Sequence, residues 1–258
     1  MRVPVVQHRS RRRRALRRRA LWTGGEFLVT AGVVLLLLVV HELWWTNREA
    51  RQGAEHQVQA LERQWATPGT GSGGTPSANS GLAGGSSPRR STSADGSATA
   101  TGSAATPHRS QAYAILTIPR LHLRVPIAEG VSKQNVLNKG YVGHYPGTQQ
   151  PGQAGNFALA GHRNTHGEPF RYLPRLRLKD TVQVETRTTV FTYTVDEILP
   201  QTSAADSGVI RPVPRSTVKP AYGYSRPGYY VTLTTCTPEF TSRYRMVVWG
   251  TLTSTRPR

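Results

Sequence analysis

Residues 66–110 limit what this chain can fold into more than any other feature. Of these 45 residues, 38 are Ser, Thr, Gly, Ala or Pro; Leu82 is the only other aliphatic residue, and there is no aromatic. Such a stretch cannot bury enough apolar surface to offset its ordering entropy. It reads as a disordered linker, a Gly/Ser-rich coil with an r.m.s. reach of about 35–40 Å. The 258-residue chain is thereby divided. Only residues 111–258 are numerous enough for one real core.

The charge pattern assigns the other side of the linker. Residues 1–110 hold 15 Lys/Arg against 6 Asp/Glu, and residues 111–258 hold 18 against 8, so the net charge of +19 divides as +9 and +10. An excess of this size suits a nucleic-acid partner, but its densest cluster has a better use. Nine of the first twenty residues are Arg, and the apolar segment Phe27–Val40, continued by Leu43, Trp44 and Trp45, follows them closely. Phe27–Trp45 is near the ~20 residues that cross ~30 Å of hydrocarbon. Trp44 and Trp45 suit an interfacial belt, with Trp22 as counterpart. The positive-inside rule keeps the Arg-rich end in the cytoplasm and sends the C-terminal part outward. A cleaved signal peptide would need a small-x-small site, which His41–Asn47 does not offer. The expected division is 1–20 cytoplasmic, 21–45 a single-pass membrane anchor, 46–65 a juxtamembrane helix, 66–110 linker, and 111–258 the folded domain. In the juxtamembrane helix Val58, Leu61 and Trp65 follow helical spacing; it reads as a solvated stalk.

From Ala112 onward the pattern is all-β, with short strands punctuated by Gly and Pro. Strands are expected at Tyr113–Pro119, at Leu123–Ile127 (off the sheet centre because of Pro126), and at Asn156–Gly161. Thr181–Glu185 and Thr189–Ile198 form a hairpin, and Tyr229–Thr235 and Arg243–Leu252 end the domain. Ser132–Leu137 reads as one capped helical turn and Glu168–Leu176 as a short helix or irregular turn. Seven or eight short strands with few helices suggest a closed barrel. The long connection from Leu199 to about Gly228 reads as a substrate-binding loop.

Cys236 is the only cysteine, so it can form no internal disulfide in an exported domain. It is either a small buried hydrophobe or a nucleophile. A thiol nucleophile needs a partner base, usually histidine. Among His122, His144, His162 and His166, His162 ends a strand beside Gly161, where a side chain emerges from a rigid sheet. His122 and His144 lie in turn-like sequence and read as surface residues. His162 and His166 are also spaced as metal ligands, although no nearby carboxylate completes a site. An acyl transferase must stabilise an oxyanion. Arg245, in the strand after Cys236, can supply the cation, or it is an ordinary solubilising residue on a wet face; Arg243 shares that face. Residue reasoning therefore reaches a Cys–His–Arg set and no substrate.

Thr232-Leu-Thr-Thr-Cys236 resembles the Thr-Leu-x-Thr-Cys signature of the sortases, cysteine transpeptidases anchored in Gram-positive membranes. Leu159-Ala-Gly-His-Arg163 is similar to their histidine motif, and Arg245-Met-Val-Val-Trp-Gly250 to the strand bearing their essential arginine. The wording of His144-Tyr-Pro-Gly147, Gly155-Asn-Phe-Ala158 and Gly161–Phe170 is most similar to class E of actinobacteria. The resemblance implies an eight-stranded sortase-like β-barrel. It also implies catalytic roles for Cys236, His162 and Arg245, in cleavage of a Leu-Pro-x-Thr-Gly or Leu-Ala-x-Thr-Gly sorting signal between Thr and Gly. Surface proteins bearing that signal and an amine of lipid II or peptidoglycan would be the partners; no cofactor or metal is implied. Thr235 would shape the threonine pocket, the Thr237 N–H would be a second oxyanion donor, and Tyr222 and Tyr224 would line the signal groove. The alternatives are a Cys–His wall or peptide hydrolase, which shares the thioester chemistry, and a non-catalytic wall-binding module.

Overall fold

In the computed structural model, the residues whose placement is described are 9–66 and 107–258. Nearly all of the expected linker, and the first eight residues, lie outside them. The N-terminal part is one continuous helix, α1 (Arg9–Ala66), running through the expected anchor and juxtamembrane segments without a break. It contains one stretch long and apolar enough to cross a membrane, with its apolar side chains exposed.

The remaining elements are β1 (Ala112–Ile118), β2 (Leu123–Glu129), β3 (Val142–His144), β4 (Gly155–Ala160), β5 (Thr181–Glu185), β6 (Thr189–Ser203), β7 (Tyr229–Thr237) and β8 (Tyr244–Pro257). They close into an eight-stranded barrel in the order β1-β2-β3-β4-β7-β8-β6-β5. Two contacts are parallel, β2 with β3 and β4 with β7; the others are antiparallel. Alternation places Phe157 and Leu159 of β4, Val231 and Leu233 of β7, and Met246 and Val248 of β8 inside the barrel.

Four local differences from the sequence reading have physical causes. Pro126 does not push β2 to an edge, because pairing with β3 begins only at Ile127, one residue past the missing N–H. The three residues of β3 are too few to show a period. His144 on β3 is not a surface residue: it is 1% exposed and its Nδ1 lies 2.6 Å from Oε2 of Glu129 on the neighbouring strand. Finally, residues 46–65 are no solvated stalk. Val58 and Leu61 are buried against Ile115, with Trp65 and Ala112 beside them, and Glu62 is ion-paired with Arg124.

Candidate active site

β4 and β7 run parallel with Ala160 opposite Thr234, and the chain stays on β7 after β4 ends. The Gly161 N–H donates to the Thr234 carbonyl at 3.1 Å, and Thr235 Oγ1 donates to the Gly161 carbonyl at 2.8 Å. His162 follows Gly161, two residues past the last paired position of β4. On the other flank of β7, Cys236 is the direct ladder partner of Arg245. Directly opposed residues share a face, here the outer one, because Leu233 and Met246 point into the barrel. Thus Cys236 and Arg245 come to one rim of the outer face, and His162 leaves the end of β4, the strand beside β7.

The floor beside them is made of short side chains, Ala158 and Ala160 of β4 and Thr232 and Thr234 of β7. Towards the middle of β7 this face is covered: the Val209 carbonyl accepts from Trp249 Nε1 at 3.1 Å and from Thr232 Oγ1 at 3.3 Å. The end near Cys236 stays open, and the cysteine is half-exposed. Tyr145, just past β3, reaches over this floor with its hydroxyl 3.1 Å from Thr234 Oγ1.

His162 Nε2 lies 2.9 Å from Asn138 Oδ1. An amide oxygen accepts, so this contact selects the Nε2–H tautomer and leaves the lone pair on Nδ1. Burial, then the nearby His166 and Lys133, lower the His162 pKa to about 4. The imidazole is therefore neutral at pH 7. Arg245 is tied to the β7–β8 turn by Nη1, which donates to the carbonyls of Ser242 and Tyr244, each at 2.9 Å. Its Nε and Nη2 carry no hydrogen bond among the described residues. Arg163 ties the segment after His162 to the end of β7, with Nη1 3.3 Å from the Cys236 carbonyl and 3.0 Å from Thr237 Oγ1. Asn138, Tyr145 and Arg163 were not identified from sequence as site residues. Tyr145 and Arg163 stand inside the quoted motifs, but Asn138 carries no local signal.

The side chains of the expected substrate-contacting residues have other partners. Thr235 is 2% exposed and lies on the opposite face of β7 from Cys236; its hydroxyl pins Gly161, the residue before His162. The Thr237 hydroxyl is occupied by Arg163. Tyr222 packs on the Leu199, Val209, Val247 and Trp249 cluster. Tyr224 stacks on Tyr230 with ring centroids 4.0 Å apart and donates its hydroxyl to Asp196. Tyr230 precedes Cys236 by six residues, about 20 Å of extended strand, so Tyr224 sits at the far end of β7. The sequence also spaces His162 and His166 as metal ligands. Their rings stack with centroids 5.5 Å apart, and no group of three His, Cys, Asp or Glu side chains is placed to hold an ion among the described residues.

The fold is a closed mixed barrel that pairs Cys236 with Arg245 on its outer face, and residues 116–253 match the sortase domain family. The chain belongs to the sortase family. It is 43% identical over 243 residues to Sortase SrtE1 of Streptomyces coelicolor, an alignment covering 91% of this chain and 57% of that protein. It is also 32% identical to Sortase SrtE2 of the same organism, over 90% of this chain and 81% of the relative. The crystal structure of Sortase E1 from Streptomyces coelicolor with a tripeptide in the active site superposes with a TM-score of 0.55. That match has 51% identity over 59% of this chain and 94% of the solved one. The chain thus spans little more than half the length of Sortase SrtE1, and its resemblance is to the class E branch.

Proposed function

We propose that this protein is a membrane-anchored cysteine transpeptidase that cuts a Leu-Pro-x-Thr-Gly or Leu-Ala-x-Thr-Gly sorting signal between Thr and Gly. It would then join the threonyl carboxyl to an amine of a cell-wall precursor. The single observation that carries the reading is the Cys236–Arg245 ladder pair on the strand beside β4, from whose end His162 emerges. Catalysis needs these groups within reach of one peptide carbonyl.

The lowered His162 pKa sets the order of proton transfers. With the imidazole neutral at pH 7, the proton that leaves the Cys236 thiol is taken by His162 Nδ1 as sulfur attacks the threonyl carbonyl. The carbonyl oxygen gains the negative charge, and Arg245 donates to it through Nε or Nη2. Collapse of the adduct breaks the C–N bond, and His162 passes the same proton to the departing Gly amine, leaving a thioester on Cys236. The incoming amine then attacks the thioester, giving its proton to His162, which returns it to sulfur. Atoms and charge balance without a metal or cofactor. The Thr237 N–H is a second donor to the oxyanion in this scheme.

The apolar part of α1 supports an anchor. The Arg-rich end would lie in the cytoplasm and the barrel outside the cell, where a lipid-linked amine is presented. The test is to incubate the full chain with both peptide types and triglycine, and to weigh the enzyme and the products. The reading requires a mass gain equal to the acyl fragment, absent in Cys236→Ala, and transfer of that fragment to triglycine. Acylation followed by water attack alone would favour a hydrolase, and no acylation would sink both.

A further inference from the structure

The two flanks of the His162 side chain are held by segments that themselves rest on α1. On one flank Asn138 belongs to a short 3₁₀ turn, Leu137–Lys139, capped by Gly140 in the left-handed region at φ 77°. Gly140 packs so closely on α1 that a Cβ there would stand 2.7 Å from the Ala50 carbonyl oxygen. On the other flank His166 stacks on His162, and its neighbour Gly167 donates its N–H to Asn47 Oδ1 at 3.2 Å. Thr46, Glu49, Ala50 and Gly53 of α1 share the wall of one cleft with Asn138 and His166.

Glu168 is the fastening. Its side chain is 3% exposed and receives three donors: Asn47 Nδ2 at 2.9 Å, Arg51 Nη2 at 2.9 Å and Arg171 Nη1 at 2.7 Å. Arg51 Nε adds a bond to the Gly167 carbonyl at 3.2 Å. Glu168 adopts a positive φ of 51°, which a non-glycine residue holds only when its surroundings fix it. Two residues on, the Phe170 N–H closes the loop on the His162 carbonyl at 2.9 Å.

Further along α1 the helix packs on the barrel again. Trp65, next to last in α1, packs beside Ala112 at the start of β1. The barrel thus rests against this part of α1. Asn47 follows Trp45 by two residues, about 3 Å of helical rise, so this contact sits where α1 leaves its apolar stretch.

We propose that the membrane-proximal half of α1 is a positioning element of the active site, acting through Glu168 to hold the loop that carries His162. The proposal rests on the transpeptidase reading for its kinetic consequence but not for its structural one. The same contact keeps the site close to the surface on which a lipid-linked acceptor is presented.

The test uses the full chain in nanodiscs, with Asn47→Ala/Arg51→Ala as the variant pair and Gly140→Ala as an independent wedge under α1. None of these side chains is in the barrel core. Two readouts are taken: peptide acylation kinetics, and the imidazole resonances of His162 and His166 in 15N-histidine-labelled protein. The expected result is a kcat lower by about ten- to a hundredfold, the usual effect of misplacing a reacting group by an ångström. The KM for the peptide should be unchanged, and both imidazole signals should move. Wild-type resonances and wild-type kcat in both variants would overturn the proposal. If the unmodified chain forms no acyl-enzyme, the transpeptidase reading fails, while the resonances still decide whether α1 holds the loop.

Discussion

Asn138 Oδ1 accepts from His162 Nε2 at 2.9 Å across 24 residues of sequence. In the proposed mechanism this contact chooses which ring nitrogen acts as the base. Asn138→Ala frees the ring to take either tautomer and to turn, so kcat for acylation should fall by about ten- to a hundredfold, with peptide KM little changed. Asn138→Asp sets a carboxylate against the imidazole. An opposite charge favours the imidazolium, so the His162 pKa should rise from about 4 toward the ordinary range. The acid limb of the kcat profile would then move to higher pH. An unchanged acid limb in Asn138→Asp would show that the amide does not govern the ring.

Arg245 faces Cys236 across the ladder with Nε and Nη2 uncommitted among the described residues. Its removal should cost the developing oxyanion a charged donor. Arg245→Ala is expected to lower kcat by about a hundred- to a thousandfold, the range for deleting one such donor. Arg245→Lys should recover only part, since an ammonium cannot brace itself on two carbonyls and still present a fork. Arg243→Ala is the control, because Arg243 lies over the Tyr244 ring in the turn. Equal losses in the two alanine variants would remove the special role of Arg245.

The depressed His162 pKa also marks stability. In the unfolded chain the imidazole titrates near 6.5, and in the fold near 4. Between those values the unfolded state binds more protons, so stability rises with pH through this window and is lost as pH falls through it. Above pH 6.5 the effect is complete. Thermal melts of the full chain and of His162→Gln, recorded from pH 7 to pH 4, should therefore converge toward the acid end. Two curves that stay parallel across the whole range would mean that His162 is not buried neutral.

Much of this arrangement was legible from residues alone, for identifiable reasons. Period-two alternation marks Thr181–Glu185 and Thr189–Ile198, and the structure pairs them, Glu185 with Val190. The same alternation places Cys236 and Arg245 on one face once the strands that hold them are paired. What escaped depends on contacts distant in sequence. Asn138 meets His162 through a turn that α1 supports from the other side of residues 67–106. Val58 and Leu61 showed a helical stripe, but the partner that makes it a packed face is Ile115, which no local pattern names. Thr235 depends on such a contact too: strand alternation turns its hydroxyl away from the sulfur, toward Gly161.

Glu129 and His144 make the last case, since sequence gave no reason to bury either. Both are in the fold, His144 at 1% exposure, and every polar atom of the histidine is used. Nδ1 lies 2.6 Å from Glu129 Oε2. Nε2 faces Thr148 Oγ1 at 2.9 Å and the Gln149 carbonyl at 3.0 Å. The threonine hydroxyl itself donates to the Tyr145 carbonyl at 2.8 Å. The pair thus joins β2 and β3 to the strand connection bearing Tyr145, which overhangs the site. Removing one partner of such a buried pair leaves the other without compensation, at a cost of about 3 kcal/mol. Glu129→Ala should lower the urea midpoint accordingly, while Glu129→Gln, whose amide oxygen can still accept from Nδ1, should lose about 1 kcal/mol. Replacing both members with apolar side chains of similar volume, Glu129→Leu with His144→Phe, should recover most of the alanine loss. If Glu129→Ala melts in urea like the unmodified chain, the pair contributes nothing to the barrel, and the position of Tyr145 over Thr234 must be set by another contact.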